Sequence, residues 1–484
     1  MIIAIEQKTD SVVISYIDQG ERKFIDIPKT NFWNWKKVNY DTKHKSFLNE
    51  NVERKRLTFK DKRVNKFSLF EWINSQQELT EKLYKFEIPK ILFCDIETEV
   101  VDGFPKPELA KESITSMSFA WIDSNDKIQS LTLGYKEEFD QKQREKMQEF
   151  TQDYYLNAKT ERDVIVRYKK VKDEKELLNF FVSICSKFHV LTGWYFEDFD
   201  WPYIKNRFKN LNMSLSKISP HNKLDRDGNP THFIVIDYMA LFKKNDRTVA
   251  VKESMTLEFI SNAVLDVGKL SYAPLTLQEL YEKNYYKYIL YNAIDTINVL
   301  MIHDKCKTLT ALLALSNLCG CEISRCQSPV SLTEGILSKR YLLENKVIPY
   351  EYSEKDRGEY EGAYVRPPIT GLHKAISCFD FSSLYPSIAR QLNISPESFI
   401  DKETMDYAKE YGKEGSYDRY KADSNNIDRS DDNYIISVTG CKFDKEESVL
   451  KKVFNDLYKD RKVEQKRYKV CDKLAHELKQ LLNK

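Results

Sequence analysis

The sequence predicts a multidomain chain of mixed α/β and α+β class. Three observations predict it. At 484 residues the chain exceeds the size at which a single hydrophobic core stops growing, so about three domains are expected. From 91 to about 308, apolar runs of strand length alternate with helical segments: ILFCDIE, ITSMSFAWI, KELLNFFVSICSKF, VLTGW, FIVIDYM and YILYNAIDTINVLMI. Such alternation builds a sheet covered by helices. Before and after this stretch the pattern changes, which sets the domain limits.

Residues 1–90 read as short strands such as SVVISYI at 11–17, followed by aromatic and basic segments and closed by Ile-Pro-Lys at 88–90. They are expected to form an N-terminal, mostly-β domain, with 309–351 completing it. In the 91–308 domain, Leu177, Phe181, Ile184, Cys185 and Phe188 follow the helical period, so one face of that helix docks on a sheet. A second helical stretch, LTALLALSNLCG, stops at Gly320. Residues 352–368, rich in Tyr, Gly and Pro, separate this domain from a further one over 352–440. Within that, 401–440 is polar and weakly patterned, which predicts loops and short elements. A last region covers 441–484.

Lys and Arg number 76 against 74 Asp and Glu, a net charge of +2, too small to attract nucleic acid in bulk. Locally, 441–484 holds 13 Lys and Arg against 8 Asp and Glu, although a solvated helix face gives the same balance. The nine cysteines contain no CxxC pair. Cys306, Cys319, Cys321 and Cys326 with nearby His303 match no common zinc spacing, and buried thiols are expected. The opening MIIAIEQKTD lacks a secretory pattern, so a cytoplasmic location is expected. No apolar stretch approaches the ~20 residues that span a bilayer.

The chemistry lies in four acids. Asp95 and Glu97, two apart at the end of an apolar strand, put both carboxylates on one face. Asp200 lies in TGWYFEDFDWPYI, and Asp295 lies on a predicted helix with Tyr291 four residues earlier, on the same face. Taken singly, Asp200 and Asp295 read as an N-cap or a surface acid. Together, four carboxylates can hold two hard divalent cations, Mg²⁺ or Mn²⁺, while the phenol orients a water against a phosphodiester.

DIE, then GW…FDWPYI, then YNAID resemble the three exonuclease motifs of family B DNA polymerases, and in particular those of T-even-type bacteriophages. DFSSLYPSIARQLNISPESFI at 380–400 resembles the first polymerase motif of that family. The resemblance implies an RNase H-like 3′→5′ exonuclease domain with a mixed sheet at 91–308, a partial palm at 352–440 and the first fingers helix at 441–484. It implies that Asp95, Glu97, Asp200 and Asp295 are exonuclease metal ligands, with Tyr291 orienting the water, and that Asp380 is a polymerase metal ligand. Ala375–Phe379 fits that role as an apolar strand leading to the acid. By the same resemblance Ser383, Leu384 and Tyr385 meet the incoming nucleotide, Tyr385 under its sugar. Tyr360, Gly362 and Ala363, at and beside EGAYVRPP, touch the template strand.

VFNDLYKDRKVEQKRYK resembles the first fingers helix. The family spacing is Arg and then Lys four later, whereas Arg461 is followed by Gln465 and Lys466; Arg461 or Lys462 with Lys466 would grip the triphosphate of a dNTP. A second departure is Tyr195, where the second exonuclease motif usually has Asn. The DTD motif that supplies the second palm carboxylate is absent from the sequence, so polymerisation is expected only with a complementary C-terminal chain or fragment. The expected partners are primer-template DNA, single-stranded 3′ ends and replisome proteins, with no membrane. A free-standing exonuclease with a vestigial palm, or a non-enzymatic DNA-binding replisome module, stays open at this point.

Overall fold

Two units interleave along the chain: Met1–Asn31, Thr58–Arg63 and Ile73–Gly335 form one, and Phe32–Leu57, Val64–Trp72 and Ile336–Lys484 form the other. The computed structural model describes residues 1–484 except 49, 59, 62, 102, 157, 159–161, 247, 250–251, 350–366, 382, 403–429, 431, 438–439 and 483–484, and except the side chains beyond 471. This division does not follow the limits drawn from sequence, because the first 31 residues and residues 91–308 belong to one unit.

In the first unit, Ile2–Gln7, Ser11–Asp18 and Glu21–Pro28 form an antiparallel sheet with the middle strand at its centre. Asp18 pairs with Glu21, leaving Gln19 and Gly20 at φ 55° and 76°, the positive-φ pair that a two-residue hairpin requires.

The larger sheet has the order Val164–Lys170, Ile128–Gly134, Ile114–Ile122, Ile91–Thr98, Val190–Gly193, Ile234–Asp237. Ile91–Thr98 runs antiparallel to 114–122 and parallel to 190–193, so the sheet is mixed. Its central place explains its sequence, because Leu92, Phe93, Cys94 and Ile96 are all buried and a strand covered on both faces shows no polar alternation.

Helix Tyr285–Cys306 crosses strands 91–98, 114–122 and 128–134. Every residue from Tyr288 to His303 is buried, so this helix has no polar stripe to betray its period. Helix Glu174–Cys185 is N-capped by Asp173, whose carboxylate accepts from the Glu176 amide at 2.9 Å, and it buries Leu177, Phe181 and Cys185 as the spacing predicts. Helix Thr308–Cys319 ends where expected, with Gly320 at φ 67°.

The second unit has its core around Trp35, Val52, Phe67, Tyr341, Val347 and Val449. Strands Trp33–Lys37, His44–Lys45 and Asn51–Arg56 form one sheet, and Phe399–Lys402, Cys441–Asp444 and Tyr434–Ile436 form another. Glu397 accepts from the Val449 amide at 2.7 Å and from the Tyr341 hydroxyl at 2.8 Å, anchoring the start of the long helix Val449–Leu482. The strand expected over 375–379 is not formed. Residues 375–380 are irregular and exposed, with Ile376 at 74% and Phe379 at 91%. An apolar run becomes a strand only where a neighbour pairs its backbone groups, and no described strand pairs with this one. Among the described residues no helix is long and apolar enough to cross a membrane.

Candidate active site

Asp95 and Glu97 occupy the second half of the 91–98 strand, and the two-residue period turns both toward helix Tyr285–Cys306. The neighbouring strand 190–193 ends at Gly193, where a Cβ would stand 2.4 Å from the Cys94 carbonyl oxygen and 2.5 Å from the Phe196 ring. Glycine alone passes there. The chain then turns through Trp194–Phe199 into helix Asp200–Asn210. Asp200 Oδ1 accepts from the Ile96 amide at 3.0 Å, so the residue between Asp95 and Glu97 fixes this third acid beside them.

The helix brings Tyr291, Asn292 and Asp295. Asn292 Nδ2 donates to Asp95 Oδ2 at 2.6 Å, while Asn292 Oδ1 accepts from Ser116 Oγ at 2.8 Å. Carboxylate oxygens of Asp95, Glu97 and Asp295 lie within 4.8 Å of one another, the one such group of potential metal-binding side chains among the described residues. Asp200 adjoins this trio without belonging to it.

Burial, helped by like charges nearby, raises these acids above the ordinary carboxylate range. Burial, then the Asp295 charge, raises Asp95 to about 7. Glu97 is pushed well up by burial and by Asp95 and Asp295, and Asp200 by burial and Asp95. Asp295 is raised by burial although Lys269 opposes it. Lys269 Nζ lies 2.6 Å from Asp295 Oδ2 and 4.9 Å from the centre of the Tyr291 ring. Burial alone would lower this amine, but Asp295 and Tyr291 raise it above the ordinary lysine value.

The donor set fits hard divalent cations. It is all oxygen, and Asp295 Oδ1 is buried without a hydrogen-bond partner, which an acceptor in a metal-binding cluster needs. A cleft of about 1070 Å³ opens on the acids, lined by Asp95, Phe104, Tyr195, Lys269, Tyr291 and Asp295.

Three of these residues escaped the sequence reading. Asn292 stands three before Asp295 and shares its helix face, a signal within reach. Lys269 and Phe104 lie in segments whose spacing carries no such signal.

In the second unit Asp380 is exposed in irregular chain. Ser383, at φ 54°, precedes helix Leu384–Gln391, and its Oγ accepts from Arg461 Nη1 at 3.2 Å. Those two expected nucleotide-binding residues therefore meet. Leu384 and Tyr385 are exposed, as is Lys466. Tyr360, Gly362 and Ala363 lie outside the described residues.

Comparison with known proteins finds two family models. One, DNA polymerase family B, exonuclease domain, matches residues 25–257. The other, DNA polymerase family B, matches residues 327–484. Lys269, Tyr291 and Asp295 fall between the two matches. The chain is 33% identical over 336 residues to the DNA-directed DNA polymerase of Escherichia phage RB69, covering 65% of this chain and 36% of that protein. It is 27% identical over 434 residues to that of Enterobacteria phage T4, covering 84% and 45%. A DNA polymerase of Archaeoglobus fulgidus is 24% identical over 349 residues, covering 69% and 38%. The chain thus spans less than half the length of these relatives.

Proposed function

The chain belongs to DNA polymerase family B, and from that membership we propose that it proofreads DNA by removing nucleotides from single-stranded 3′ ends. The observation that carries this reading is the convergence of Asp95, Glu97 and Asp295, with oxygens within 4.8 Å, on an open cleft. Asp95, Glu97, Asp200 and Asp295 would hold two Mg²⁺ or Mn²⁺ ions, and when bound those ions supply charge for the phosphodiester oxygens and acidify a water. The protein's own part is orientation. Asn292 fixes the Asp95 carboxylate, the Ile96 amide fixes Asp200, and Lys269 holds Asp295 and Tyr291 together. The Tyr291 phenol, kept protonated by burial and by Asp295, can orient a nucleophilic water.

The second unit would contribute to nucleotide transfer. Asp380 would be one metal-binding acid of that site, Ser383, Leu384 and Tyr385 would meet the dNTP, and Arg461 with Lys466 would take its triphosphate. Tyr360, Gly362 and Ala363 would touch the template. Domain roles follow: an N-terminal domain at 1–90 with 309–351, an exonuclease at 91–308, palm at 352–440 and fingers from 441. A complementary C-terminal chain or fragment carrying the second palm carboxylate would complete the site. Ile376, Phe379, Phe381 and Tyr385 stand exposed on either side of Asp380, an apolar surface of the kind that partners cover, which supports this. Primer-template DNA and other replisome proteins would be its remaining partners.

The test is hydrolysis of single-stranded oligonucleotides labelled at the 5′ end. With Mg²⁺ or Mn²⁺ the label should appear in a ladder shortened from the 3′ end, and Asp95→Ala should abolish it. Shortening without divalent metal, or undiminished in Asp95→Ala, would overturn the reading.

A further inference from the structure

We propose that Tyr195 is a base-stacking platform that makes 3′-end binding depend on the terminal nucleobase. The inference rests on the exonuclease reading above and names a determinant of its substrate preference.

Tyr195 sits in the turn between strand 190–193 and helix 200–210. Its neighbours Trp194 and Phe196 are buried, at 9% and 0% exposure, whereas Tyr195 is 48% exposed. Of three successive aromatics, two are thus buried and one stands exposed in the cleft, where the edge of Trp194 also contributes to the wall. The division depends on backbone geometry, because Tyr195 holds φ at 59°, a left-handed conformation that is uncommon for a bulky side chain and costs energy. Folding has no evident need of the ring itself. Among the described residues it packs against no other aromatic and its hydroxyl makes no hydrogen bond, although its carbonyl oxygen accepts from the Phe199 amide at 3.1 Å.

The ring lines the same cleft as Asp95, Tyr291 and Asp295. Phosphate chemistry belongs to those acids. A flat uncharged ring on the cleft wall offers a nucleobase what the acids cannot, a stacking face, and such stacking tolerates every base because each has a π-face. The asparagine usual at this position would offer hydrogen bonds instead of a ring face.

The experiment measures binding with the full chain in the Asp95→Ala background, so that ends stay intact. One probe is a 5′-fluorescein single strand with 2-aminopurine as its 3′-terminal base, and the other is the same strand ending in an abasic sugar. With Tyr195 present, the first probe should bind with quenched 2-aminopurine emission. Tyr195→Ala and Tyr195→Asn should each weaken it about tenfold and restore emission, and Tyr195→Phe should regain binding and quenching. On the abasic probe all four proteins should bind alike. A loss on Tyr195→Ala that is equal for both probes, or no loss on either, overturns the platform. If Asp95-intact protein hydrolyses 3′ ends while Tyr195 shows no base dependence, the platform alone fails; if it hydrolyses no ends, the exonuclease reading fails first.

Discussion

Lys269 Nζ stands 2.6 Å from Asp295 Oδ2 and close over the Tyr291 ring, which makes it, among the described residues, the one cation paired to the cluster of Asp95, Glu97 and Asp295. Buried like charges are costly unless something compensates them, and here a lysine supplies the compensation from a loop. Lys269→Met should therefore strip charge from the cluster, push the Asp295 carboxyl still higher and let Tyr291 lose its partner. Expected is a loss of about 1–3 kcal/mol in stability together with slower nucleotide excision. Thermal unfolding and oligonucleotide hydrolysis on one preparation check both; an unchanged melting temperature would contradict the compensating role.

The Asp95 carboxyl is raised to about 7 by burial and by Asp295, against an ordinary value of 3.8. A carboxyl whose folded value is raised keeps a proton that the unfolded chain has already released. Its contribution to stability is complete below about 4 and is lost as pH rises toward 7. Metal-free wild type should accordingly fall behind Asp95→Asn in melting temperature as pH rises from 5 to 8. Mg²⁺ needs the deprotonated acids, so it should stabilise wild type more at pH 8 than at pH 5.5. A gap that narrows with rising pH would contradict the assignment of the raised value to Asp95.

Tyr291 is buried to 8% exposure, and burial with Asp295 keeps its phenol protonated far beyond neutrality. A hydroxyl fixed in this way can position a water but cannot act as a base. Tyr291→Phe should lower kcat about a hundredfold, the scale of a misplaced reactant, with KM and melting temperature little changed. A shift in the pH profile instead of a fall in kcat would assign the phenol a proton-transfer role.

Much of this site was legible in the sequence because carboxylate chemistry leaves short local signals. Asp95 and Glu97 declare a strand face by their spacing, and Tyr291 and Asp295 declare a helix face. Residues 91–98 and 114–122 were readable as strands because their apolar runs are long and β-branched or aromatic. The edge strand 164–170 carries a period-2 signal as well, with Val164, Val166 and Tyr168 buried in alternation with exposed Arg167 and Lys169, and it escaped the sequence reading. Lys269 could not be found locally, since only tertiary folding brings it to Asp295. Residues 375–380 misled for a related reason, because an apolar run predicts burial but not the partner that provides it.

Arg207 and Glu174 show what holds Asp200 in place. Arg207 on helix 200–210 meets Glu174 at the start of helix 174–185 through two hydrogen bonds, Nε to Oε1 at 2.8 Å and Nη2 to Oε2. Glu174 Oε1 also accepts from the Ile114 amide at 2.8 Å, and Arg207 Nη1 donates to the Ala110 and Lys111 carbonyls at 3.0 and 2.9 Å. The pair is nearly closed to solvent, at 8% and 10% side-chain exposure. Removing one member strands a buried charge, which costs about 3–5 kcal/mol, whereas removing both together costs far less. Arg207→Met should thus be strongly destabilising, and Glu174→Gln added to it should recover part of the loss. Because the helix that Arg207 anchors begins at Asp200, excision should weaken in the single variant even below its melting temperature. Chemical denaturation of the two single variants and the double variant measures the coupling, and additive losses would show that the two side chains do not act as a pair.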